Sequence, residues 1–393
     1  MNNNKSPDLL KVILAGALVL LVVHTLGRFI YTPLLPLLIQ DGVLTVKQGA
    51  DVASWNYLGY LTGAVLAMRW HRIEQIRSVL PWALGINVVC TLLQTQTESF
   101  ELLSFLRLIN GISNGIVFVQ APALILEWLA RHGRASASGL VYLGVGAGLI
   151  VSSGLVSLPA DLLDGAQRWW PAFLLSVPLA VWGWRQLAQL DVPSPVQIDK
   201  SGAPPSTRLL DRDSTPLFLS YAGAGMGYIL PMTFLPTLVS QLDDMPDFLV
   251  GGSWLVVALA TLPAPWIWNK AGSLLGDSLA LRLNYALQLM GVLFVLLLPG
   301  PFGVLMCALL VGGTFLGTVL LSQRLARTLH PHQGPRLSAA LVALYSVFQL
   351  GGPWLTKQWL NSGGTLQGAF WLGAGALIWG LFWALWVPNR QAS

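Results

Sequence analysis

The sequence predicts an all-α membrane protein with twelve transmembrane helices, arranged as two six-helix bundles with both termini in the cytoplasm. The chain of 393 residues is 54% hydrophobic and only 10% charged, whereas soluble proteins average about a quarter charged residues. About twelve apolar segments reach the length of ~20 residues that a spanning helix needs. Lysine and arginine concentrate in alternate loops, as they do in cytoplasmic loops.

The first apolar segment begins after Lys11 and runs to Gln40. It is too long for the apolar region of a cleaved signal peptide, which spans about 7–15 residues, so we interpret it as an uncleaved first helix. The predicted spans of the first half are 10–39, 49–69, 78–96, 101–127, 136–158 and 169–188. Those of the second half are 216–240, 248–269, 277–298, 301–323, 337–357 and 366–387.

A polar, proline-rich stretch separates the two sets of spans and has the composition of a flexible connector. The predicted organisation is an N-terminal bundle at 1–190, a cytoplasmic connecting loop at 191–215 and a C-terminal bundle at 216–393. Gly27–Pro36 reads GRFIYTPLLP and Gly227–Pro236 reads GYILPMTFLP, which share a glycine, a leucine and the last proline. This repeat indicates a duplicated six-helix unit, as in transporters that bind substrate near the midplane between two halves.

Two motifs extend the pattern beyond the repeat. Residues 56–60 read Asn-Tyr-Leu-Gly-Tyr, and the predicted fourth helix carries Arg107, Asn110, Gly111 and Ser113 in the order R-L-I-N-G-I-S. Twelve spans as six plus six, with a long central loop and basic inside loops, resemble the major facilitator superfamily. GRFIYTPLLP followed by the 56–60 motif is similar to a bacterial branch, the YbfB/YjiJ-type transporters. The resemblance implies the major facilitator fold and a secondary transporter of the bacterial inner membrane.

The chain departs from the family pattern at two places. The loop after the second helix usually carries an aspartate four residues after a glycine, but here Gly63 is followed by Ala67, although Arg69 and Arg72 remain. The fifth predicted helix lacks the Gly-Pro pair typical of drug antiporters. Because the aspartate is absent at Ala67, the gating ion pair that the resemblance would imply is not expected here. Because the Gly-Pro pair is absent, multidrug export is disfavoured.

His24, Arg28, Tyr31 and Thr32 fall on one stripe of the first predicted helix at α-helical spacing. A charge at bilayer depth is costly and usually faces a protein interior or a wet cavity. The planar guanidinium of Arg28 suits a carboxylate, so we expect the stripe to line a substrate cavity. The alternative is a structural arginine satisfied by carbonyls and a neighbouring helix. Two prolines further along the motif predict a kink or loosening of this helix.

Arg107, Asn110, Gly111 and Asn114 share one face of the fourth helix, which lines the cavity or forms a polar seam between helices. In the resembling family, the fourth-helix arginine is associated with proton coupling. Tyr228 occupies the position that matches Arg28 in the repeat. The predicted substrate-binding residues are Arg28, Tyr31, Asn56, Tyr60, Arg107, Asn110, Asn114, Tyr228, Thr314 and Gln349.

No carboxylate lies clearly at the predicted midplane, so the predicted coupling residues are His24, Arg107 and Glu127. Histidine titrates near neutrality and is suited to carrying a proton. The alternative for Glu127 is a surface pair with Arg131, four residues further along the helix.

These patterns predict a secondary active transporter that moves a small organic solute, with an anion favoured, by alternating access and with proton coupling. No ATP-binding motif, metal-ligand set or nucleic-acid motif is present in the sequence, so we expect no enzyme, cofactor or nucleic-acid partner. The expected partners are the substrate, the proton and the lipid bilayer, and the expected state is a monomer. The alternatives are export of neutral sugars or hydrophobic drugs, or a non-transporting sensor or scaffold with the same fold.

Overall fold

The computed structural model describes residues 8–70, 72–192, 210–330 and 334–389. These residues are helical almost throughout, and most of the predicted connector at 191–215 lies outside them. Helices α1 to α14 are, in chain order, Leu9–Leu20, Tyr31–Gln40, Val46–Ala67, Ile73–Gln94, Phe100–Arg131, Leu143–Ser157, Trp170–Ala188, Thr215–Val239, Asp247–Thr261, Ala264–Leu275, Asp277–Leu297, Pro301–Leu329, Gly334–Asn361 and Leu366–Ala384. Leu21–Phe29, called π1 below, is a π-helix, and Ala135–Tyr142 and Gly165–Trp169 are 3₁₀-helices.

Among the described residues, eight helices are long and apolar enough to cross a membrane, and the bent pair α9 and α10 raises the number to nine. The first of these runs through α1, π1 and α2, and the bend between α9 and α10 is 41°. Helices α3, α7 and α13 match predicted spans but do not meet the same criterion of length and apolarity. Helix α3 is less apolar because it carries polar side chains, Ser54 and Asn56 among them, that are buried against other helices.

Helices α1 to α7 pack mainly on one another, and α8 to α14 do the same. The two sets meet where α2 packs on α8, α3 on α13 and α6 on α9. One hydrogen bond occurs in both sets. The side-chain amide of Asn87 on α4 donates to the carbonyl of Asn110 on α5 at 3.3 Å, and that of Asn284 on α11 donates to the carbonyl of Thr314 on α12 at 2.9 Å. In each half the bond joins the third predicted span to the fourth, so it recurs at the equivalent place of the sequence repeat.

Helices α3 and α5 touch through their backbones. A Cβ atom added to Gly59 would lie 2.2 Å from the carbonyl oxygen of Leu108, and one added to Gly111 would lie 2.2 Å from that of Asn56. Both distances are shorter than any van der Waals contact, so only glycine fits at these two positions. Small residues allow this approach in membrane helices. The contact fixes the position of α3, with Tyr57 and Tyr60, relative to α5.

The loops after α2 and before α7 meet at one end of the helices, called the distal end below. The Asp41 carboxylate accepts hydrogen bonds from Nε and Nη2 of Arg168 at 2.5 Å and 2.9 Å, and from the backbone N–H of Gly165 at 2.8 Å. Glu98, in the loop between α4 and α5, accepts a bond from the backbone N–H of Ala166 at 3.1 Å. These ionic contacts join three loops of the first half.

We expect Asp41→Asn to lower the free energy of unfolding by about 1.5–3 kcal/mol at neutral pH, the usual range for hydrogen bonds to charged groups. The bonds from Arg168 hold the pKa of the Asp41 carboxyl below its ordinary value. The pair therefore stabilises the fold above the unfolded pKa of about 3.9, and this contribution is lost as the pH falls through the lower folded pKa.

Unfolding of detergent-purified protein at several pH values measures this effect. The matched control is Asp243→Asn, since Asp243 is an exposed loop aspartate and its substitution should leave stability unchanged. Equal stability of the two variants at pH 7 would show that the contact with Arg168 contributes nothing.

Candidate functional site

Arg28 lies in π1, a segment whose carbonyls are held by a second arginine. Pro33 has no N–H group and cannot donate to a carbonyl of the preceding turn. In the i to i+5 pattern of a π turn that donor would serve the carbonyl of Arg28. Arg107 on α5 binds this carbonyl and that of Gly27, because its Nη2 and Nη1 donate to them at 3.1 Å and 2.6 Å. The predicted loosening of the first helix thus occurs before the prolines and takes the form of a π-helix.

The predicted stripe on the first helix is divided, because a π turn bonds residue i to i+5 and so rotates the side chains that follow. His24 and Arg28 keep a common neighbour in Tyr60, whereas Tyr31 and Thr32 do not join them. The Tyr31 hydroxyl donates to the carbonyl of Gly49 at 2.9 Å. The Thr32 hydroxyl donates to the carbonyl of Met232 on α8 at 2.7 Å. These two side chains are thereby directed to different neighbours, and Tyr31 does not lie beside Arg28.

The guanidinium of Arg28 is buried and surrounded by aromatic rings. Its Cζ atom lies 4.2 Å from the ring centroid of Tyr60, 4.5 Å from that of Tyr57 and 5.3 Å from that of Phe29. The side chain is 2% exposed, and none of its three nitrogen atoms has a hydrogen-bond partner among the described residues. Cation–π contacts offset part of the cost of burying the charge, but its N–H donors remain free. A buried cation without a counter-charge is costly and by default indicates a functional site in a membrane protein.

Arg107 is equally buried but is committed to structure. Besides its two carbonyl bonds, its Cζ atom lies 4.9 Å from the ring centroid of Tyr31 and 5.8 Å from that of Trp169. Asn56 donates to the carbonyl of Arg107 at 2.9 Å and to the side-chain oxygen of Asn110 at 3.3 Å. These contacts match the polar-seam alternative for the predicted face of the fourth helix.

His24 and Glu127 have different surroundings. The Nδ1 atom of His24 lies 3.3 Å from Oδ1 of Asn114, and its ring stacks on Phe118 with the centroids 4.3 Å apart. Glu127 forms an ion pair with Arg131 at 2.8 Å, and the two side chains are 40% and 32% exposed. Of the two titratable side chains, His24 is the one that is buried near Arg28.

The second half contributes a stack of four aromatic rings, called the aromatic ladder below. Tyr221 stacks on Tyr345 with centroids 4.6 Å apart, Tyr345 on Tyr228 at 5.5 Å, and Tyr228 on Phe315 at 5.5 Å. The side-chain amide of Gln349 donates to the Tyr228 hydroxyl. Two of the predicted residues of this half, Tyr228 and Gln349, are therefore joined directly.

Tyr57 connects Arg28 to the half that carries the aromatic ladder, because it lies against the Arg28 guanidinium and its hydroxyl bonds to Thr233, five residues after Tyr228 on α8. Thr314 is not part of this arrangement, because its hydroxyl donates to a carbonyl of its own helix at 2.5 Å. The predicted set of site residues omits Tyr57. Its spacing of three residues from Tyr60 places both on one helix face, and that spacing could have revealed it.

Comparisons with known proteins identify the family. The family model described as "Uncharacterised MFS-type transporter YbfB" matches residues 20–385. The chain therefore belongs to this family of the major facilitator superfamily, and it is a multi-pass membrane transporter of a small molecule rather than an enzyme. A search of curated proteins gave no significant match.

Two solved structures of the nucleoside transporter NupG share the fold. One, of a point mutant, has a TM-score of 0.68 at 14% identity over 95% of this chain and 99% of that chain. The other has a TM-score of 0.67 at 16% identity over 98% of this chain and 100% of that chain. At such identities the likeness establishes the fold alone.

We expect substitution of the two buried arginines by methionine to have different effects on stability. Arg107→Met leaves two buried carbonyls without donors and should lower the free energy of unfolding by about 2–4 kcal/mol. Arg28→Met removes an uncompensated buried charge and orphans no partner, so stability should stay the same or rise. Thermal unfolding of both variants in the same detergent measures the difference. If Arg28→Met is as destabilising as Arg107→Met, Arg28 has a structural role.

Proposed function

We propose that this transporter moves a small organic anion across the bacterial inner membrane by secondary active transport. The observation that carries this proposal is the buried Arg28 guanidinium, whose donors are free at the boundary between the two halves. A carboxylate accepts two parallel N–H bonds from a guanidinium, and such charge-assisted pairs are strong and specific. The proposed topology has twelve spans, as bundles at 1–190 and 216–393, with both termini in the cytoplasm.

The predicted site residues take two roles in this proposal. One group surrounds the substrate, and its members are Arg28, Tyr60, Asn114, Tyr228 and Gln349. The other group holds the wall in place through bonds to backbone or to other helices, and its members are Tyr31, Asn56, Arg107, Asn110 and Thr314. A variant in the first group should change substrate affinity, whereas a variant in the second should first change stability.

We propose alternating access because polar contacts between the two halves gather towards one end. Among the described residues, Tyr57 bonds to Thr233 at 2.8 Å, Thr32 to the carbonyl of Met232 at 2.7 Å, and Trp254 to the hydroxyl of Ser152 at 3.0 Å. Lys357 on α13 pairs with Asp51 on α3 at 2.6 Å. Asp51 follows shortly after the distal loop, and α2 and α6 lead to distal loops. Breaking these contacts between the two halves would open the distal end.

Proton coupling is proposed to involve His24. It is buried, titrates near neutrality in its ordinary state, and shares Tyr60 as a neighbour with Arg28, since the His24 and Tyr60 ring centroids are 6.0 Å apart. The exposed pair of Glu127 with Arg131 makes Glu127 the weaker candidate. Arg107 would act on coupling indirectly, through the shape of π1.

We expect Arg28→Met to abolish anion transport. Each protein is reconstituted into proteoliposomes, and the uptake of labelled monocarboxylates and of the matching amides is measured. Net uptake into empty vesicles and exchange against internal substrate are measured separately. The wild type should show saturable carboxylate uptake, and exchange against internal substrate should be faster than net uptake where the return of the empty transporter limits the cycle. Arg185→Met is the matched control, because Arg185 is exposed near the end of α7.

Two results would refute the proposal. Carboxylate flux that is equal in the wild type and in Arg28→Met would remove Arg28 from the substrate site. No flux of any panel compound through folded protein would favour the sensor or scaffold alternative.

We expect His24→Gln to lose uptake driven by a pH gradient and to keep exchange, because exchange moves no net proton. Glutamine preserves a polar group beside Asn114 but cannot be protonated near neutrality. Uptake with and without an uncoupler measures the coupling, and Glu127→Gln is run in parallel. Uncoupler-sensitive uptake that survives in His24→Gln and fails in Glu127→Gln would transfer the coupling role to Glu127.

A further inference from the structure

Among the described residues around Arg28, Arg28 is the cation without a bonded partner, and many of its neighbours are aromatic rings. Arg107 has two donors on backbone carbonyls, and His24 lies against Asn114 and Phe118. The rings belong to both halves of the chain. Those of the first half, Phe29, Tyr57 and Tyr60, lie directly against Arg28. Those of the second half form the aromatic ladder, whose Tyr228 is five residues before Thr233, the residue to which the Tyr57 hydroxyl bonds.

We propose that the substrate is a planar aromatic monocarboxylate, an inference that rests on the anion transport proposed above. The carboxylate would bind the free N–H donors of Arg28, and the ring of the substrate would lie among the tyrosine and phenylalanine rings. Aromatic pairs prefer offset or edge-on contacts with centroids about 4.5–7 Å apart, and such contacts add to the gain from burial alone. A flat ring can make several of these contacts at once.

The charge balance supports a monoanion. Among the described residues, no acidic side chain pairs with Arg28, and the five ion pairs all involve other residues. One carboxylate would neutralise Arg28, whereas a dianion would bring a second charge into a buried site without a partner, which is costly. The same reasoning disfavours a cationic substrate.

The hydrogen-bonding groups also support a ligand that accepts hydrogen bonds. The three nitrogens of Arg28 and the side-chain nitrogen of Asn114 are buried donors without partners among the described residues, and the unpartnered acceptors Asn56 Oδ1 and Asn87 Oδ1 belong to amides that are bonded in the seam with α5. The Tyr228 hydroxyl, which accepts a bond from Gln349, can donate its own proton. A sugar would need acceptors as well as donors around its hydroxyl groups, so a carboxylate on an apolar ring fits this arrangement better.

Binding of four probes to the full-length purified protein tests this inference. The probes are benzoate, its neutral isostere benzamide, the non-aromatic acid cyclohexanecarboxylate, and adenosine as a neutral aromatic solute of the class that the structural neighbour NupG carries. Isothermal titration and thermal shift give Kd values. We expect benzoate to bind, benzamide and adenosine to bind at least about 10-fold more weakly, the factor that one charge-assisted hydrogen bond provides, and cyclohexanecarboxylate to bind about 3–10-fold more weakly than benzoate.

Variants separate the charge from the rings. Arg28→Met should lose benzoate binding, and Arg28→Lys, which keeps the charge without the planar fork, should weaken it. Tyr228→Leu should reduce the preference for benzoate over cyclohexanecarboxylate to near one, while Tyr228→Phe, which keeps the ring, should retain it. The pairing of each disruptive variant with a conservative one distinguishes a lost contact from a misfolded protein.

The outcomes distinguish this inference from the proposal it rests on. If cyclohexanecarboxylate binds as tightly as benzoate, the aromatic substrate class is overturned while anion transport stands. If adenosine or benzamide binds more tightly than benzoate and does so equally well to Arg28→Met, both the inference and the anion assignment are overturned. If none of the probes binds to folded protein, the inference is overturned, and the proteoliposome panel decides the fate of anion transport.

Discussion

The contact on which the site depends is the bond pair from Arg107 to the carbonyls of Gly27 and Arg28. A carbonyl left without a donor inside a membrane protein costs several kcal/mol, and Pro33 removes one donor from this turn. Because the guanidinium of another helix supplies two donors, π1 can widen without leaving its backbone unsatisfied. π-helical turns are rare and frequently occur at functional sites. Here the widened turn carries Arg28, a buried arginine whose nitrogen atoms have no hydrogen-bond partner among the described residues.

The two buried arginines thus have different roles, although both look alike in sequence. Arg107 loses its hydration on burial but donates to two backbone carbonyls, so its role is to stabilise the fold. Among the described residues, the neighbours of the Arg28 charge are aromatic rings, which give an attraction without accepting its hydrogen bonds in the usual way. An unpaired charge lowers stability, as functional residues often do. The same charge would make binding of an anion favourable, because the guanidinium of Arg28 is already removed from water in the folded protein and loses no further hydration on binding.

Sequence reasoning could predict the helical membrane fold, since lipid leaves few ways to satisfy backbone polar groups. It could also single out Arg28, because a charge in an apolar segment is conspicuous. It could not predict π1, which depends on Arg107, 80 residues away from Gly27. The assumption of regular α-helical spacing then placed Tyr31 beside Arg28, whereas the structure directs it to Gly49. Spacing alone could single out Tyr228 but not its stacking in the aromatic ladder, because the rings of the ladder come from three helices that meet only in the folded chain.

The position of Arg28 relative to the distal contacts suggests how binding and opening are linked. Thr32, four residues after Arg28, bonds to the carbonyl of Met232 in the other half. Tyr57, whose ring lies against Arg28, bonds to Thr233 in that half. A ligand shifts a conformational equilibrium only by its difference in affinity for the two states. A substrate held by Arg28 and by Tyr228 would bridge both halves and would bind best when they are close. Its carboxylate would therefore favour closure of the distal end, and release would require Arg28 to lose its only counter-charge.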